Sequence, residues 1–133
     1  MTGAQFAGFR LAFAGLLLFF FGLGLGFAVS IFPTIKPLLS AHEGALGSGT
    51  FLICIGAIWS MFMTTDSRKL VLAIWLSHYA LGATLVLDGF DGAIRKLVNT
   101  LLGLSCVAVA VTTLILIAKF WQETRSLRAA VRT

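Results

Sequence analysis

Apolar residues along this chain gather into four runs, at about 11–32, 41–63, 70–87 and 97–120, separated by short polar breaks. Each run is close to the ~20 residues that a helix needs to cross the hydrocarbon of a bilayer. Backbone amides in lipid must be satisfied within their own segment, so the runs are predicted to be helices rather than open strands. The first break, "FPTIKPLLS" (Phe32 to Ser40), carries Pro33 and Pro37 to stop one helix and Ser40 to cap the next. The second, "TTDSRK" (Thr64 to Lys69), offers Asp66 or Ser67 as a cap. In the third, "DGFDGAIRK" (Asp88 to Lys96), two Asp-Gly pairs read as turns rather than metal ligands. Connections this short force neighbouring helices to alternate in direction. The expectation is an all-α integral membrane four-helix bundle, up-down-up-down, formed by a single transmembrane domain over 1–133, with a helical basic tail from 121 to 133.

Composition agrees: 59% of the residues are apolar, 11% are charged, and the mean hydropathy is +1.00. A soluble globule of this size is not built that way. Arg10 ahead of a Leu- and Phe-rich run suggests a secretory signal, but the run is long for one and no small-x-small site closes it, so it reads as a permanent span. Lys and Arg divide unevenly between the two sides. Arg10, Arg68, Lys69, Lys119, Arg125, Arg128 and Arg132 fall on one, and Lys36, Arg95 and Lys96 on the other. The richer side is predicted to be cytoplasmic, which puts both termini there and the chain in an inner or plasma membrane as a multi-pass protein. A basic tail against an anionic leaflet then accounts for the net charge of +5 without any nucleic acid partner. Cys54 and Cys106 lie within spans, outside any Cys-x-x-Cys pair, and read as small apolar packing residues.

The first span places Gly8, Gly15, Gly22 and Gly26 on one helical face, a groove for close approach of another helix. "GLGLG" (Gly22 to Gly26) lacks the preceding strand and solvated helix start of a phosphate-binding turn. Ionisable groups inside spans are costly and mark the positions to weigh, here His42, Glu43, His78, Tyr79 and Asp88. His78 and Tyr79 fall near mid-membrane, where an imidazole and a hydroxyl need partners, a neighbouring backbone carbonyl being the plainest. His42 is set apart by its company. Ala41, Ala45 and Gly49 are spaced by four, as are Gly44 and Ser48, so the helix beside it is nearly bare over two turns. Such a wall takes either a neighbouring helix or something flat. Glu43, rotated ~100° from His42, supplies negative charge at a helix start. In the last span Asn99, Gly103, Cys106, Ala110 and Thr113 form a mildly polar stripe expected to point inward. No nucleophile elbow accompanies Ser48, His42 and Asp88, and the histidines lie too far apart for a zinc site.

"AHEGALGSG" (Ala41 to Gly49) followed by an apolar span resembles the second-helix signature of a small family of four-span membrane isomerases, the styrene oxide isomerases and hydroxylaminobenzene mutases. The matching positions are Ala41, His42, Gly44 and Gly49, with Ser48 where the family commonly has asparagine; chain length and span number are closer to the mutase branch. The resemblance implies haem b as cofactor, with His42 as axial ligand and Gly44 and Gly49 beside it, ferric iron acting as a Lewis acid, and a homo-oligomer that is a trimer in the styrene oxide isomerases. It also implies Ser48 in substrate positioning and a role for a third-helix tyrosine, for which Tyr79, the only tyrosine in the chain, is the candidate. The implied reaction is the intramolecular rearrangement of a small lipophilic aromatic substrate, an aryl epoxide to an aldehyde or an aryl hydroxylamine to an aminophenol. Two other classes fit the same composition. One is a non-enzymatic membrane subunit or anchor whose loops and tail make the contacts. The other is a small carrier with Glu43, Asp88 and the two histidines as a proton or cation path.

Overall fold

In the computed structural model of the chain, the described residues are 2–32, 36–63, 67–87 and 93–131, with the side chains of 36, 37, 93, 94 and 127–131 left aside. They form four helices: α1 (Gly3–Ile31), α2 (Lys36–Phe62), α3 (Arg68–Leu87) and α4 (Ala93–Val131). All four are long and apolar enough to cross a membrane. Large apolar side chains cover the outside, among them Phe9, Phe20 and Phe27 on α1 and Leu104, Val107 and Leu114 on α4, each more than half exposed. A water-soluble monomer does not carry so much. This is a multi-pass membrane protein.

The helices begin earlier than the apolar runs. α1 starts at a capping box, in which the Gln5 amide donates to Thr2 Oγ1 at 3.3 Å and the Thr2 amide donates to Gln5 Oε1 at 2.9 Å. α2 already runs at Lys36, which places Pro37 in its first turn and Ser40 inside the helix rather than at its cap. Proline fits there because a first-turn amide has no intrahelical acceptor to lose. Ser67 directly precedes α3, and its Oγ accepts from Lys119 Nζ at 2.7 Å, tying the start of α3 to α4. α4 runs unbroken into the predicted helical tail. The expectations for Pro33, Asp66, Asp88 and the Asp-Gly pairs fall outside the described residues.

The tightest pairing joins α1 and α2, and glycine makes it so. A Cβ on Gly8 would lie 2.6 Å from the Gly56 carbonyl oxygen, and one on Gly15 would lie 2.7 Å from that of Gly49. Further along, Gly22 faces Ala45 and Leu46, and Gly26 faces His42. Contacts thus climb α1 as they descend α2, with backbone against backbone. The predicted glycine face is the seam itself.

α3 lies against α2 and more lightly against α1, and among the described residues α4 packs chiefly against α3. The buried core runs through Leu11, Leu18, Ala45, Leu52, Trp59, Ile74 and Leu116. On α4 the inward face is Val98, Ser105, Thr112 and Leu116. The predicted stripe is therefore misplaced: Asn99, Gly103, Cys106 and Ala110 are exposed and only Thr113 is half-buried. Ser105 and Thr112 are the buried polar residues of this helix instead, the Thr112 hydroxyl bonding within the bundle, and the inward face is thus rotated by more than a quarter turn from the expected register. Cys54 and Cys106 are likewise exposed rather than packed inside.

Candidate functional site

His42 is carried in the second turn of α2, and its ring leaves that helix for α1. Nδ1 lies 2.7 Å from the carbonyl oxygen of Gly22. The notch that admits the ring comes from Gly26, where a Cβ would stand 2.5 Å from His42 Cε1 and 2.8 Å from Nδ1. A carbonyl can only accept, so Nδ1 carries the proton in this bond. With Nδ1–H so engaged, Nε2 is the nitrogen left for a ligand, the arrangement that ligating histidines commonly hold by a second hydrogen bond to backbone.

The bare wall beside His42 is filled. Ala41 and Ala45 are buried, and a Cβ on Gly49 would lie 2.7 Å from the amide nitrogen of Phe19 on α1. Gly44 abuts Leu85 of α3 so closely that a methyl there would collide with the leucine side chain. Ser48 is buried too, about 9 Å along the helix from His42 and about 120° around it. Of the two readings of the small residues, a packed helix is the one realised within a single chain. The imidazole thus fits the chemistry of a haem axial ligand, while Ala45 and Gly49 do not serve as a seat for the macrocycle.

Tyr79 sits elsewhere. Its hydroxyl donates to the carbonyl oxygen of Ala14 at 2.8 Å, two turns of α1 or about 12 Å from the level of Gly22 and His42. His78, its neighbour, is buried and stacked on Phe51 with ring centroids 5.0 Å apart and planes 11° from parallel. Its Nδ1 lies 2.9 Å from the Ile74 carbonyl oxygen, the local backbone partner expected of a membrane histidine. Ser77 Oγ donates to that same carbonyl at 2.9 Å and lies 3.3 Å from Thr112 Oγ1, so this small polar cluster links α3 to α4. Glu43 is exposed on the outer side of α2. His42, Glu43 and His78 therefore face α1, the outside and Phe51 respectively.

The structure gathers His42, Gly22 and Gly26 into one place and leaves Ser48 and Tyr79 at other depths. The seat for His42 in α1 escaped the sequence reading, although its signal was present: two glycines four apart, at the depth where a short connection brings His42. Among the described residues no group of three or more His, Cys, Asp or Glu side chains could hold a metal ion. Comparison of the chain with protein families, with characterised proteins and with solved structures finds no match.

Proposed function

We propose that this chain is a membrane-embedded intramolecular isomerase acting on a small lipophilic aromatic substrate, an aryl epoxide or an aryl hydroxylamine, with His42 as the residue that would hold the iron of haem b. The reading follows the resemblance of Ala41 to Gly49, and one observation carries it: an imidazole within a span, bonded to the Gly22 carbonyl and seated over Gly26 at the seam of α1 and α2. Bound haem would supply a Lewis acid to the oxygen of the C–O or N–O bond. The chain's own part is to fix the ring of His42 by the Nδ1 bond, to offer an apolar exterior through which such substrates enter from lipid, and to keep water from a cationic intermediate. Ser48 and Tyr79 act as positioning residues, Tyr79 by tying α3 to α1.

The reading includes an up-down-up-down arrangement with both termini in the cytoplasm, supported by the excess of Lys and Arg at that end and by the reversed order of contacts between α1 and α2. It also includes self-association. Between Leu39 and Ile58 the outer face of α2 exposes no large apolar side chain, only Ser40, Glu43, Gly47, Thr50, Cys54 and Ala57. α4 offers a matching exposed row in Lys96, Asn99, Gly103, Cys106 and Ala110. The two rows share the spacing of a helix seam and carry opposite charges near their starts, Glu43 and Lys96, so α2 of one copy is suited to α4 of the next.

The deciding experiment is to purify the protein in mild detergent from cells supplied with haem precursor, record its absorption spectrum, and assay both substrate classes. A Soret band that disappears in His42→Ala, together with turnover, is the expected result. Full haem occupancy and turnover in His42→Ala, or no Soret band in the saturated wild type, would overturn the assignment.

A further inference from the structure

A groove enclosing about 550 Å³ runs between α1 and α3, a volume in the range of small-molecule sites. Phe9, Phe13 and Leu17 in its lining are each more than half exposed, so it opens on the outer surface of the helices. Five of the fourteen lining residues are aromatic, Phe6, Phe9, Phe13, Trp75 and Tyr79, in a chain whose aromatic share is 12%. Rings gathered at that density offer faces and edges to another flat π system. Tyr79 bonds to Ala14 and Gly82 stands beside Leu18, so one turn earlier in each helix Trp75 is level with Arg10. Both of those residues are donors. The Arg10 guanidinium carbon lies 5.9 Å above the Phe6 ring, and Trp75 Nε1 is enclosed without a hydrogen-bond partner among the described residues. Neither group can accept a hydrogen bond, and no Asp or Glu lines the groove to answer them.

That combination selects an occupant. An anionic head is not called for, because Arg68, the other cation of the lining, is already engaged within the chain and Arg10 rests on an aromatic face. A plain acyl chain would leave the indole donor unanswered, and a buried donor without an acceptor is costly. A helix from another copy would bring backbone carbonyls that its own ladder has used. A quinone is flat, conjugated and neutral, accepts at both oxygens, and dissolves in the bilayer from which the groove is reached. We propose that the groove between α1 and α3 binds a neutral lipophilic quinone, its ring lying among Phe13, Trp75 and Tyr79. One carbonyl oxygen accepts from the Arg10 guanidinium, and a turn of the Trp75 indole brings Nε1–H to the same oxygen. The site is independent of His42 and of the isomerase reading.

The full chain, in a Trp121→Phe background, is reconstituted into phosphatidylcholine vesicles and titrated with a para-benzoquinone bearing a decyl chain. Trp75 then reports on the groove, while Trp59 is enclosed in the core. The octyl ester of N-acetyltryptophan, in the same vesicles without protein, measures quenching by collision alone. Quenching of the protein is expected to saturate, with its midpoint at a mole fraction roughly tenfold below that of the ester, the scale of one hydrogen bond from a charged donor. Arg10→Leu removes that advantage and Arg10→Lys, which keeps a donor, retains part of it. Phe13→Leu, which keeps apolar bulk and removes a ring, weakens binding severalfold, and Gly24→Ala, outside the groove, leaves it intact. Quenching no stronger than that of the ester would overturn the proposal, as would an advantage that survives either Arg10→Leu or Phe13→Leu. Displacement of the quinone by an equal mole fraction of decylbenzene would reduce the groove to an apolar slot and overturn the quinone assignment. Displacement by an equal mole fraction of decanoate would reassign it to an anionic amphiphile, and overturn it as well.

Discussion

The imidazole of His42 and the backbone of Gly22 meet at 2.7 Å across the seam of α1 and α2, twenty residues apart in the chain. The contact exists because Gly26, one turn beyond Gly22, has no side chain. A histidine is thereby held in one tautomer by a group that no side-chain substitution at Gly22 removes.

Gly26→Ala is expected to dislodge the ring, since its methyl would stand 2.5 Å from Cε1. In the haem reading, occupancy, read from the Soret band, should fall towards that of His42→Ala. Gly24→Ala, two residues away and with nothing within 4 Å of the new methyl, should leave the band unchanged. An unaltered spectrum in Gly26→Ala would show that the notch does not govern the ligand.

Close approach along the seam predicts a steep cost for small additions. Gly15→Ala would press a methyl to 2.7 Å from the Gly49 carbonyl oxygen and the Ile53 amide, both backbone, which cannot rotate away. A loss of about 1–3 kcal/mol is expected in detergent unfolding. Gly24→Ala should be neutral or stabilising by up to about 1 kcal/mol, because alanine is the better helix former.

Much of this was legible in the sequence, and the departures have physical causes. Four apolar runs of membrane length prescribe four helices, and glycines at seven, seven and four residues prescribe a helix-packing face. The register of α4 was not legible, because a membrane helix is apolar all round and polarity then marks two candidate faces. Ser105 and Thr112 point inward, while Asn99 and Cys106 do not. His42 stood out by its neighbours, yet those neighbours serve the packing of α1 and α3. Small residues state that something approaches closely without stating what.

Tyr79→Phe should lower stability by roughly 0.5–1.5 kcal/mol, the range measured for interhelical hydrogen bonds in membranes, because Ala14 loses a second donor that its helix does not replace. In the isomerase reading kcat should stay within a few-fold of wild type. A fall of a hundredfold or more with stability unchanged would put the phenol in direct contact with substrate.

Ser77→Ala and Thr112→Ala each remove one partner of a 3.3 Å pair between α3 and α4. A double-mutant cycle is expected to give a coupling of about 0.5 kcal/mol, since both hydroxyls retain backbone acceptors in their own helices. Zero coupling would mean that the pair does not join the helices.

The exposed rows of α2 and α4 carry one cysteine each, Cys54 and Cys106. Counted from Glu43 and Lys96, they lie eleven and ten residues along their helices, so the proposed pairing of Glu43 with Lys96 brings them to nearly equal depth. Mild oxidation in membranes is expected to link Cys54 of one copy to Cys106 of another, giving a dimer band that either cysteine-to-serine substitution abolishes. Only monomer under oxidation would argue against this pairing of faces.

The uneven pairing of the four helices also sets an order of assembly. Everything that α1 and α2 need for their seam is contained in the first 62 residues, so a hairpin threaded into the bilayer ahead of the rest can close on itself before α3 is made. α3 then docks onto a finished surface, and α4, fastened through Lys119, Ser77 and Thr112, arrives last. Errors late in synthesis would cost the chain its outermost helix and leave the hairpin that seats His42 intact.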